Sequence, residues 1–258
     1  MLTKIKALCK KPLFWEAIMA GAILLTFLVS LILLLVKPAP KPPAETTPTS
    51  APTQAPTQPT TPPVKGIDVS EHQENIDWQK VKDAGVEFVM IRVGFQGYTE
   101  GQFHPDNLAQ THYNGAKAAG LKVGAYIFSQ AISAEEGKKN AEYLLEQTKD
   151  WEIDLYLAIN WEDTGNRTTS VDARCLTDIT KAFCQTVAQA GKKPIVYFST
   201  DLAKNRMYLE ELKDYPFWLS QYTAEMDFSH PVTMWQFTNT GRIPGINVDV
   251  DIDWYYPE

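Results

Sequence analysis

The chain divides into three stretches by the way apolar and polar residues are distributed. Ala17 to Val36 is a run of 20 residues without a charge. At about 1.5 Å per helical residue, such a run crosses the roughly 30 Å hydrocarbon core of a bilayer. Residues 37–64 hold 10 of the 17 prolines, interleaved with Thr, Ala, Gln and Ser, and contain no Leu, Ile or aromatic residue from which to build a core. From Lys65 onward short apolar runs alternate with helical patterns. The strand candidates are 66–69, 88–93, 122–128, 155–161, 194–198, 217–221, 232–237 and 248–252; the helical patterns are 78–84, 107–119, 134–148 and 171–190. Gly85, Gly120 and Gly191 stand just past three of these helices, where a C-cap glycine is expected.

Strand–helix alternation predicts an α/β fold with parallel strands, and eight strands in roughly 200 residues suit a small, irregular TIM-like (β/α) barrel. After the fifth strand the spacing shortens, which predicts fewer helices in the second half. The expected organisation is a cytoplasmic basic N-terminus (1–16), a transmembrane helix (17–36), a Pro/Thr-rich extracellular linker (37–64) and a barrel domain (65–258). Lys4, Lys6, Lys10 and Lys11 precede the apolar run, and only Lys37 and Lys41 follow it closely, so the N-terminus is expected inside and the rest outside. The run exceeds the roughly 7–15 apolar residues of a signal peptide and no good cleavage site follows it, so it reads as an uncleaved, single-pass anchor. An extended proline-rich linker of this length reaches up to about 85 Å.

Charge sharpens this division. Residues 1–64 carry 6 Lys and Arg against 2 Asp and Glu, leaving 18 and 29 to residues 65–258, so the net −7 splits into +4 and −11. An acidic body without a basic run argues against nucleic-acid binding. Neither G-x-G-x-x-G nor a P-loop is present, which removes support for a nucleotide site. The three cysteines include no C-x-x-C pair, and Cys175 and Cys184 fall on opposite faces of one helix, too far apart for a disulfide. The four histidines are scattered and no calcium-loop pattern appears, so neither a metal nor another cofactor is expected.

Chemistry in such barrels lies at the C-terminal strand ends. Asp68 interrupts the first strand, Asn160 and Glu162 close the fourth on one face, and Asp249, Asp251 and Asp253 alternate through the last. Barrel closure would bring Asp68 to the final-strand carboxylates, with Glu162 across the mouth; Asp249 and Asp253 are expected to take no part in the chemistry. Acidic groups around one rim suit glycoside hydrolysis, in which one carboxylic acid protonates the leaving oxygen while another group stabilises the cationic sugar. Tyr98, Tyr126, Trp161, Tyr197, Trp218, Tyr222 and Trp235 are candidates to stack on sugar rings, with barrel core as the competing role for each.

The motifs Lys-Gly-Ile-Asp-Val-Ser-Glu-His-Gln (65–73), Phe-Val-Met-Ile-Arg-Val-Gly (88–94), Val-Gly-Ala-Tyr-Ile-Phe-Ser (123–129), Ile-Asn-Trp-Glu (159–162), Phe-Trp-Leu-Ser-Gln-Tyr (217–222) and Met-Trp-Gln-Phe-Thr (234–238), with Val-Asp at 250–251, occur in a collinear order. In that order they resemble the glycoside hydrolase family 25 lysozymes, the cell-wall muramidases of bacteria and phages, over residues 65–258. The resemblance implies an irregular barrel and a general acid at Glu162, with Asp68 and Asp251 shaping the subsite. It also implies a partner for the substrate's 2-acetamido group at position 160, where the family's Asp is Asn160 here. Asn preserves the shape and an acceptor oxygen but not the charge, which at about 4 Å and an effective dielectric near 20 is worth up to roughly 4 kcal/mol, or about 10³ in rate.

The expected function is a muramidase cutting the β-1,4 bond between N-acetylmuramic acid and N-acetylglucosamine in peptidoglycan. It would be anchored in a bacterial cell membrane, with a monomeric catalytic domain outside, acting on glycan strands. The alternative is a catalytically weakened or inactive glycan-binding module on the same stalk.

Overall fold

Each of the eight apolar runs forms a strand in the computed structural model, which describes residues 62–257. The basic N-terminus, the apolar run 17–36 and nearly all of the proline-rich stretch lie outside the described residues. Among the described residues no helix is long and apolar enough to cross a membrane.

The strands are β1 (Val64–Val69), β2 (Phe88–Gln96), β3 (Phe103–Pro105), β4 (Lys122–Ser129), β5 (Leu157–Trp161), β6 (Pro194–Ser199), β7 (Phe217–Ser220), β8 (Met234–Gly241) and β9 (Val250–Tyr255). The helices are α1 (Trp78–Asp83), α2 (Ala109–Ala118), α3 (Ala134–Gln147), α4 (Ala173–Gln189) and α5 (Thr200–Asn205). Hydrogen-bonded neighbours run β1-β9-β8-β7-β6-β5-β4-β2, and pairing of β1 with β2 closes the ring. The barrel therefore has eight strands, with β3 attached outside it along the end of β2.

Two features depart from the sequence-based expectation. β9 is antiparallel to both β8 and β1, so the barrel is mixed rather than all parallel. Only a short loop joins β8 to β9, and a connection of that length allows a hairpin but not the crossover that a parallel pair needs. β3 was not foreseen, because three residues ending in Pro105 are too few to show alternation.

The helices form where side chains satisfy their first N–H groups. Asp77, Ser133, Asp172 and Ser199 each accept a backbone N–H at the start of α1, α3, α4 and α5. The predicted stops hold as well: Gly120 and Gly191 take φ of 75° and 72°, the left-handed geometry that ends α2 and α4. Alternation along the strands sorts the apolar side chains into two layers. Ile67, Val89, Ile91, Val123 and Ile127 face outward into the main core shared with the helices. Phe88, Met90, Tyr126, Ala158, Ile195, Trp218 and Met234 fill the barrel interior. Gly66 is the register partner of Phe88, and a Cβ there would overlap the Phe88 ring. Large side chains thus fill the lower barrel.

Candidate functional site

β1 and β5 deliver Asp68, Asn160 and Glu162 to the rim at their C-terminal ends. The reversed β9 reaches that same rim with its N-terminal end, which makes Asp251 the direct register partner of Asp68. These four residues line one cavity of about 310 Å³, together with Gln73, Tyr126, Tyr197, Tyr222, Gln236, Asn239 and Asp249. A second cavity, of about 350 Å³, shares Glu162, Tyr197 and Tyr222 and continues past Asp163, Ser199, Asp201, Leu202 and Ser220. Glu162 consequently stands where two parts of one groove meet.

Enclosure decides the protonation of this rim. Glu162 keeps an exposed edge, yet desolvation by the surrounding wall raises its pKa, while a hydrogen bond from Asn160 pulls the other way. Its backbone carbonyl accepts from Gln130 Nε2 at 2.8 Å, which holds the chain at the strand end. The next residue behaves differently. Asp163 accepts from the Gly165 N–H, the Thr168 hydroxyl and Arg206 Nη1 at 3.0, 2.9 and 2.9 Å, and the first of these bonds leads in holding its pKa down. Of the adjacent pair, only Glu162 is suited to carry a transferable proton.

Across the cavity burial and mutual repulsion push the aspartates up. Asp68 is raised well above its ordinary value by desolvation, then by Asp251 and Asp253; Asp251 is raised to about 6, chiefly by desolvation. Gln236 organises this wall: its Nε2 donates to Asp68 Oδ2 at 2.7 Å, and its Oε1 accepts from the Tyr197 and Tyr222 hydroxyls, both at 3.0 Å. The buried cation Arg92 is occupied elsewhere, bonded to Asp106 at 2.9 Å and Glu71 at 3.3 Å. Asn160 forms part of the cavity wall, and its Oδ1 is buried without a donor. No group of three or more His, Cys, Asp or Glu among the described residues is arranged to hold a metal ion.

The seven aromatic candidates separate. Tyr126, Tyr197 and Tyr222 line the cavity. Trp161 and Trp235 do not, because each follows or precedes an inward residue and so faces out; their indole N–H groups donate to Ala131 and Gln221 carbonyls, both at 2.8 Å. Trp218 points inward but lies deeper, 1% exposed, and donates to Asp253 Oδ1 at 2.8 Å. Tyr98 is exposed in the turn after β2, edge-on to Phe128, and is not among the residues lining the two cavities. The three tryptophans therefore offer no ring face to a ligand in the cavity. Asp249 does reach the cavity, although Arg242 holds its carboxylate at 2.8 Å. Asp253, read from the sequence as a bystander, is wholly buried beside Asp68. Gln236 lay within the quoted Met-Trp-Gln-Phe-Thr motif but was not singled out; its inward alternation with Trp235 was the available signal.

Residues 67–246 match the sequence profile of glycosyl hydrolases family 25. The chain is 28% identical over 191 residues to the autolytic lysozyme of Clostridium acetobutylicum, a match covering 74% of this chain and 55% of that protein. In structure it is similar to the bacterial lysozyme from Streptomyces coelicolor, with a TM-score of 0.62, 25% identity and coverage of 77% of this chain and 94% of that one. It also shares the fold of the modular autolysin LytC from Streptococcus pneumoniae, solved in complex with a synthetic peptidoglycan ligand. That likeness has a TM-score of 0.67 at 24% identity, over 75% of this chain and 47% of LytC. The chain thus spans about half the length of the clostridial and pneumococcal proteins.

Proposed function

Given that the chain belongs to family 25 of the glycosyl hydrolases, we propose that it is a peptidoglycan muramidase held at the outer face of a bacterial membrane by residues 17–36. The observation that carries the catalytic part is the position of Glu162, an acid of raised pKa where two cavities meet. A glycan strand laid along the groove would place the scissile oxygen between sugars in the two cavities. Glu162 donates its proton to that oxygen as the bond to the anomeric carbon breaks. The bond's electron pair leaves with the oxygen, and positive charge develops on the sugar. The substrate's 2-acetamido oxygen can attack that carbon, and the unpartnered Asn160 Oδ1 is suited to accept the acetamide N–H and orient the group. Asp68 and Asp251 supply the negative potential opposite Glu162, a role that the neutral Asn160 cannot take. A water molecule then completes hydrolysis, with Glu162 recovering its proton.

The anchor part is supported by the length and flanking charge of 17–36. Reach is supported by the proline-rich stretch that follows. No nucleic acid, metal or cofactor enters this reading, and the catalytic domain works as a monomer.

The test is to incubate the purified full chain with cell walls and identify the sugar at each new reducing end. N-acetylmuramic acid is expected at those ends with the native chain, and no release with Glu162→Gln. Retained binding with no release at any pH would replace the muramidase with a glycan-binding module. Fractionation of cells should place the full chain with the membranes and a chain lacking residues 17–36 outside them.

A further inference from the structure

Among the described residues, Asp253 is the one acid buried in the barrel interior below the cavity lining. It is 0% exposed. Its Oδ1 accepts from Trp218 Nε1 at 2.8 Å, while its Oδ2 is buried and meets no donor. The side chain's other polar neighbour is the Asp68 carboxyl, which lies within hydrogen-bonding contact. Asp68 is differently served: it accepts from Gln236 Nε2 at 2.7 Å and from the Tyr126 hydroxyl. Two ionised carboxylates in contact inside a barrel, with one oxygen lacking any donor, would repel without compensation.

The groups facing this pair do not supply a counter-charge. β4, β6 and β7 contribute Tyr126, Tyr197 and Trp218, β8 contributes Gln236, and Asp251 on β9 adds a further negative charge. From β5 come Glu162 and the neutral Asn160, and Tyr222 follows β7. Arg92 on β2 is committed to Asp106 and Glu71. A proton is the remaining way to satisfy the geometry.

We propose that Asp253 carries a proton on Oδ2 and shares it with Asp68, so that Asp253 is a positioning residue holding Asp68 as the anion of the cavity. The exchange of partners is simple: the Asp253 O–H donates, and the Asp68 oxygen accepts. Asp68 then receives three donors, from Gln236, Tyr126 and Asp253, which favours its ionised form at a rim where Asn160 has no charge. Burial raises both members of the pair, Asp68 well above its ordinary value and Asp253 to about 7, so one proton stays with the two carboxyls; the donors already on Asp68 and the donorless Oδ2 of Asp253 place it on Asp253. The consequence for catalysis rests on the muramidase reading; the shared proton does not.

Infrared difference spectra of the full chain at neutral pH test it, with Asp253→Asn and Asp68→Asn compared with the native protein. Each amide can still donate to the carboxylate left behind. Both variants should lose the same carbonyl band of an un-ionised carboxylic acid. No loss in Asp253→Asn, or a band that survives Asp68→Asn, would overturn the shared proton, and either variant decides the matter if the other does not fold. Thermal unfolding gives an independent reading. The native fold keeps a proton that the unfolded chain releases near pH 4, so Asp253→Asn should gain in Tm relative to the native chain as pH rises from about 4 to about 7. A difference that is flat with pH would also overturn the proposal. Neither readout needs hydrolysis, so an inactive chain that shows both would sink the muramidase and leave the proton pair standing.

Discussion

Asp68 on β1 and Asp251 on β9 are direct cross-strand partners in an antiparallel pair. Like charges directly opposite one another are destabilising, and here both groups are also enclosed. The rim is consequently built at a cost to the fold, as is common where chemistry requires perturbed acids.

The Asp251 penalty has a definite sign. Its pKa is raised to about 6 in the folded protein against about 3.9 unfolded. The folded state therefore binds the extra proton, and the favourable difference present below pH 4 is lost as pH rises through about 6. Asp251→Asn should gain stability relative to the native chain across that window and show a constant difference above it. Denaturant midpoints measured at several pH values check this.

Asn160→Asp should restore a charge beside Glu162. A like charge raises the acid's pKa, so the alkaline limb of the activity profile should move up. The rate should rise too, with about 10³-fold as the upper bound for a full charge acting only in the transition state. Reducing-end release measured against pH, variant beside native, is the check; a lower rate at every pH would refute the role given to position 160.

Trp218→Phe removes the only donor to Asp253 Oδ1 among the described residues and also leaves a cavity where the second ring of the buried indole stood. A buried acceptor left without its donor costs about 1–3 kcal/mol. Chemical denaturation should show a loss of at least that size, the cavity adding to the lost donor. Substitution at Tyr222, which is half exposed, should cost little stability and act on substrate affinity instead.

Gly66→Ala tests the packing below the site. The added Cβ overlaps the Phe88 ring, three of whose atoms would lie within 2.4 Å of it. An aromatic ring cannot fold away as a flexible chain can. Gly66→Ala should therefore cost about 1–3 kcal/mol, read from the shift of its urea midpoint.

Much of this protein was legible before any coordinates. The runs at 88–93, 122–128 and 194–198 are strands, and Gly120 and Gly191 end helices, because side-chain period and left-handed backbone are local properties written in local residues. Asp68 and Asp251 stand out as charges within apolar strands and Glu162 as the charge that closes one, and the fold brings all three to one cavity. The same local rules explain the misses. The orientation of β9 depends on how little chain connects it to β8, and the outward facing of Trp161 and Trp235 on which residues beside them the barrel turns inward. Asp253 looked like its neighbours Asp249 and Asp251 in sequence, with the same type at the same spacing. Only closure of the ring between β1 and β9 sets it against Asp68, out of water and short of a donor. Residue type alone determined that this chain carries acids at strand ends; how far each is taken out of water, and which way its pKa moves, was decided by depth in the barrel, because desolvation and nearby charge exist only once the strands have met.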